Sequence, residues 1–148
     1  MAETISSFMT ADHRACDEEF ADMENAVASD NWAKAQEKFD KFTCDLEHHF
    51  NMEEKVMFPT FEERTGMVGG PTAMMRMEHE QMRSVVDQMK GDLASKNKDH
   101  FFGLSESLMM LMQQHNMKEE QMLYAMVDNH LGADAALVVH EMQGLEKA

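Results

Sequence analysis

The chain has 148 residues, 43% of them hydrophobic, which suits one domain with a real core and is short for two. Twenty-eight acidic residues against thirteen basic ones leave a formal charge of −15, which argues against nucleic-acid and anionic-membrane partners and attracts cations, although a solvated surface accounts for most of that excess. Two prolines and seven glycines, set against many Ala, Met, Glu, Lys, Gln and Leu residues, favour long helices over turn-linked strands and point to an all-α fold.

The first helix is expected from about Thr10 to Ser29, with Met9, His13, Cys16, Phe20, Met23 and Val27 on one stripe at spacings of three and four. After a tight connection at Ser29-Asp30-Asn31, the second carries Trp32, Ala35, Phe39, Phe42, Leu46, His49, Glu53 and Val56 on a single inward seam, and Pro59 ends or kinks it. Gly66, Gly69, Gly70 and Pro71 make residues 63–72 the clearest loop. A third helix follows to about Ser95 with Met75, His79, Met82, Val86, Met89 and Leu93 on its stripe. The fourth, from about Asp99 to Asn129, carries Phe101, Ser105, Leu108, Met112, His115, Glu119, Met122 and Met126. Short loops make sequential helices antiparallel neighbours, so residues of about 8–130 read as an up-down-up-down four-helix bundle. A short extra helix over about 133–146 packs on the outside or against a neighbour.

No basic region followed by an apolar stretch opens the chain, and the longest apolar runs, Leu108–Met112 and Ala135–Val139, are far too short for a bilayer, so a soluble, cytoplasmic protein is expected. Cys16 and Cys44, the only cysteines, do not indicate a disulfide framework. The eighteen methionines read as adaptable core filler rather than as soft-metal ligands.

Helix registers bring four histidines to one depth. His13 and His49 each lie roughly 22–27 Å from the loop joining their helices, and His79 and His115 roughly 22–25 Å from theirs. Glu53 and Glu119 follow His49 and His115 by four residues, one turn on along the same inward face. A lone histidine on an apolar stripe is ordinarily a satisfied core residue. Four in one layer with two carboxylates, which are costly to bury unpaired, point instead to two borderline metals such as iron, manganese, cobalt or zinc. Carboxylates of Glu53 and Glu119 bridging the ions would give each two nitrogens and two oxygens, with room for an oxo or hydroxo bridge and an exchangeable ligand.

The spacing repeats: His13 to His49 and His79 to His115 are both 36 residues, and the halves superpose with an offset of 66. That offset also pairs Asp12 with Glu78, Glu54 with Glu120, Phe42 with Leu108, Leu46 with Met112 and Phe58 with Tyr124, as an internal duplication with pseudo-twofold symmetry would. His48, His100, His130 and His140 lack the register and read as surface or supporting residues, with His130 and Asp134 as a helix-surface pair.

At His49-x3-Glu53-Glu54 with Met57-Phe58-Pro59 behind it, at Glu78-His79-Glu80, and at His115-x3-Glu119-Glu120 with Leu123-Tyr124 behind it, the chain resembles the hemerythrin-like (HHE cation-binding) family over residues of about 8–130. The resemblance implies non-haem iron, hence a di-iron centre on His13, His49, Glu53, His79, His115 and Glu119. Oxygen-carrying members have a His-x3-His pair on the third helix, where this chain has Met75, and pair the fourth-helix histidine with an aspartate five residues on, where Glu119 stands at four. The pattern is more similar to the subgroup associated with nitric-oxide stress and repair of iron centres. The expected function is binding or sensing of a diatomic ligand, O2 or NO, at open iron positions. The alternatives are a redox enzyme reducing NO or peroxide, with Tyr124, buried methionines and an electron-transfer partner serving it, and iron donation or repair of iron centres. A ferritin-type Glu-x-x-His motif is missing, since Arg76 and Met112 precede His79 and His115 by three.

Overall fold

The computed structural model describes residues 3–147. α1 (Ile5–Ala28), α2 (Trp32–Met52), α4 (Pro71–Ser95) and α5 (Lys98–Lys118) are the long helices. A π-helical turn, Glu53–Met57, joins α2 to α3 (Phe58–Thr65), and a second, Glu119–Leu123, joins α5 to α6 (Tyr124–Leu131). α7 (Ala135–Gln143) follows a short 3-10 turn, Gly132–Asp134. α1 packs on α2 and α5, and α4 on α2 and α5, which closes the antiparallel ring.

α1 begins five residues earlier than its periodicity suggests because Thr4 and Ser7 form a capping box. The Thr4 hydroxyl accepts from the Ser7 N–H and the Ser7 hydroxyl from the Thr4 N–H, both at 2.9 Å, so Ile5 starts the helix fully buried. The two hairpin turns are copies of each other at the 66-residue offset. Asp30 and Lys96 take left-handed φ values of 58° and 56°, and Asn31 and Asn97 follow as N-caps for α2 and α5. Gly66, at φ 76°, ends α3.

Pro59 does not end the second helix. The backbone widens into the π turn and resumes as α3, with Pro59 in its first turn, where a missing N–H is tolerated. The same widening rotates everything beyond it by about one residue relative to an α-helical stripe. In the fourth helix Met122 is therefore 64% exposed and Met126 only partly buried, against expectation, while Leu123, Tyr124 and Val127 turn inward.

Two apolar clusters fill the bundle. One, around Phe20, Phe42, Phe50, Met89, Phe101 and Leu108, occupies the hairpin end. The other, around Ile5, Met57, Phe58, Phe61, Tyr124 and Leu131, occupies the opposite end and takes in Val138, Val139 and Met142 of α7. α7 thus packs back onto its own bundle, against α1 and the first π turn. The tail beyond it docks on α2 through His48 Nε2 to the Leu145 carbonyl (3.1 Å) and Lys147 to Asp45 (2.8 Å). No described helix is long and apolar enough to cross a membrane.

Candidate metal centre

Between the two clusters, all six of the residues singled out on sequence grounds come together, none more than 3% exposed. Donor atoms of Glu53, His79, His115 and Glu119 lie within 4.8 Å of one another, and so do those of His13, His49 and Glu119. The imidazoles pair by hairpin, with ring centroids 4.6 Å apart for His13 and His49 and 4.9 Å for His79 and His115. The carboxylates lie between the pairs. Glu53 Oε1 is 3.0 Å from His79 Nε2 and 3.7 Å from His49 Nε2, and Glu119 Oε1 is 3.1 Å from His13 Nε2 and 3.2 Å from His115 Nε2.

Each imidazole faces inward with Nε2 because its Nδ1 is held from outside by a carboxylate on another helix. His13 Nδ1 is 2.7 Å from Glu120, His79 Nδ1 2.6 Å from Glu54, His49 Nδ1 2.6 Å from Asp12, and His115 Nδ1 2.8 Å from Glu78. An Nδ1–H donated outward leaves the Nε2 lone pair for the centre, the tautomer a metal requires. Arg83 grips Glu54 with both terminal nitrogens (2.9 and 3.2 Å), Arg14 grips Glu120 (3.3 and 2.9 Å), and Lys118 reaches Glu78. Sequence reasoning missed the roles of these four acids, which project away from the inward stripe of their own helices. The available signal was an acid immediately beside a site residue, four times over, in matched positions of both halves.

The centre is short of positive charge. Glu53 and Glu119 are completely buried, and Arg14, Arg83 and Lys118 are engaged by the outer acids. Burial, and then the neighbouring charge of Glu119, pushes the Glu53 carboxyl up. Burial pushes Glu119 up as well, but the hydrogen bond from Glu53 and the His115 charge override it and hold Glu119 well below the usual range. For His49, burial disfavours the cation, yet the charge of Glu53 and the bond to Asp12 prevail and raise it to about 8. The same contest, led on the raising side by Glu119, lifts His115 to about 9. Two inward atoms, Glu119 Oε2 and His115 Nε2, are buried without a hydrogen-bond partner. Buried imidazole nitrogens and carboxylate oxygens converging with atoms left unpartnered suit cations, so this donor set fits metal ions in the two clusters of donors.

The π turns bear on the same site. Each begins at a centre carboxylate, and a wide turn brings the residue five places on, Phe58 or Tyr124, beneath that carboxylate. The Tyr124 hydroxyl is fully buried, 2.8 Å from Glu53 Oε2 and 3.0 Å from Glu119 Oε1. Met75, one turn before His79, is buried in the apolar cluster.

The remaining candidates lie elsewhere. Cys16 is buried and Cys44 half-buried, and the two form no disulfide. His100 bonds to Asp92 at 2.7 Å. Asp134 pairs with Arg64 at 2.9 Å rather than with His130, whose carbonyl also accepts from Arg64, because the intervening 3-10 turn alters the helical spacing the pair would need.

Residues 4–141 match the model of the hemerythrin HHE cation binding domain. No curated protein and no solved structure matches the chain.

Proposed function

The chain belongs to the hemerythrin HHE cation-binding family, and from that premise we propose that it is a di-iron protein that binds or senses a diatomic ligand, O2 or NO, using His13, His49, Glu53, His79, His115 and Glu119 as metal ligands. The observation that carries this reading is the position of Glu53 and Glu119, each fully buried between one histidine of either pair. Carboxylates so placed could serve ions at both histidine pairs, and four histidines with two carboxylates would leave coordination positions open to a small ligand. Iron held by these residues would supply the redox range that gas binding needs.

The chain's own residues do the rest. Asp12, Glu54, Glu78 and Glu120 hold the imidazoles in the metal-facing tautomer. The apolar clusters on either side exclude water from the centre. A redox reading, reduction of NO or peroxide, is favoured by one further observation: the buried Tyr124 side chain touches both centre carboxylates, where it could serve as an electron or radical partner.

Metal analysis of the purified protein should return about two irons per chain, and a folded wild type that takes up no metal would sink the proposal. Anaerobic stopped-flow mixing of the reduced protein with O2, NO and H2O2 then separates the readings. A stable adduct supports binding or sensing, turnover supports the enzyme, and ready loss of iron to an acceptor supports donation.

A further inference from the structure

The two halves of the centre differ where Tyr124 stands. The 66-residue offset pairs it with Phe58, and both are fully buried at the first residue after a π turn. Their rings sit alike: Phe58 lies along His79 (centroids 5.9 Å, 17° between planes) and Tyr124 along His13 (5.6 Å, 23°). One end of a nearly symmetric centre therefore gains an oxygen that the other lacks.

That oxygen has four close neighbours, all from the donor set. Tyr124 Oη is 2.8 Å from Glu53 Oε2, 3.0 Å from Glu119 Oε1, 3.2 Å from His13 Nε2 and 3.5 Å from His49 Nε2. In the metal-binding tautomer, with Nδ1–H donated to Glu120 and Asp12, both nitrogens present lone pairs. A phenol has one proton and cannot satisfy this ring of acceptors. Atoms sharing one ion at bond lengths of roughly 2.1 Å stand about 3.0–3.4 Å apart, and the four distances here, 2.8 to 3.5 Å, bracket that spacing.

We propose that Tyr124 is itself a ligand, its phenolate oxygen binding the ion held by His13 and His49, so that the two ions are inequivalent and an exogenous ligand goes to the ion held by His79 and His115. Coordination expels the phenolic proton to solvent, as metal binding does at any protonated ligand. On the other side, Phe58 offers no donor, and Phe50 stacks on His79 with centroids 4.0 Å apart, so the open position faces a dry aromatic wall suited to a small uncharged molecule. This inference rests on the two-metal reading above.

The test uses full-length protein loaded with iron and oxidised, with iron content, visible absorption and phenolate-enhanced Raman scattering measured on the same samples. Wild type should hold about two irons and show a phenolate-to-iron charge-transfer band. Tyr124→Phe should keep both irons, lose the band, and collapse two iron Mössbauer doublets towards one. Phe58→Tyr should add a second phenolate signal and weaken binding of azide as a probe of the open position. Two irons without a phenolate band in wild type overturns the assignment and leaves the two-metal reading standing, whereas failure to load iron overturns both.

Discussion

Asp12 Oδ2 accepts from His49 Nδ1 at 2.6 Å across the first hairpin, and 66 residues later Glu78 and His115 repeat the bond across the second at 2.8 Å. Asp12 makes no other hydrogen bond of this kind, whereas Glu78 is also held by Lys118. Asp12→Asn therefore isolates the orienting bond. It should lower metal affinity about 10- to 100-fold while leaving the helical content unchanged, as read by competition with a chromophoric chelator and circular dichroism. Unchanged affinity would mean that the imidazole is oriented by packing alone.

Glu53→Gln separates metal binding from folding. Burial and then the charge of Glu119 disfavour the Glu53 carboxylate, so a neutral isostere removes an unfavourable charge from the metal-free fold. The metal-free variant should be about 1 kcal/mol more stable than metal-free wild type at neutral pH, a rise of roughly 2–4 °C in Tm. Its iron content should fall to one per chain or less. Retention of two irons would remove Glu53 from the ligand set.

Stability should vary with pH in opposite senses with and without metal. His49 and His115 are raised from 6.5 to about 8 and about 9, so the stability they contribute to the metal-free fold is complete below pH 6.5 and is lost as pH rises through 8 and 9. Metal ions displace those protons, so metal affinity should rise over the same window by about tenfold per pH unit for each proton displaced. Thermal scans at pH 6, 7.5 and 9 should show the metal-free Tm falling while the increment due to metal grows. A metal-free Tm that rises with pH would contradict the placement of these imidazoles among carboxylates.

Thr4→Ala removes the capping box without touching the centre. It should cost about 1 kcal/mol, or roughly 2–4 °C in Tm, with iron content unchanged. A loss of iron would show that the α1 terminus communicates with His13.

All six centre residues were legible in the sequence because each sits on an inward stripe with unbroken helical spacing from its hairpin: His13 between Met9 and Cys16, His115 between Met112 and Glu119. Legibility fails where the helical period changes. Past Glu119 the wide turn shifts the phase, so the helical stripe places Met122 inside while Leu123 and Tyr124 are the residues that turn inward. The α1 start was missed for a different reason, since Ser7 replaces the Glu or Gln by which a capping box is usually recognised. The outer acids escaped because their function is performed on a neighbouring helix, and periodicity describes only a residue's own.

The 66-residue equivalence extends from the centre ligands to the hairpin turns, and it bounds what each half could do alone. A homodimer of half-chains must place the same side chain at both ends of its twofold axis. Joining the halves covalently lifts that constraint, so a phenol can stand in one half where the other has a phenyl, and two sites built on the halves need not behave alike.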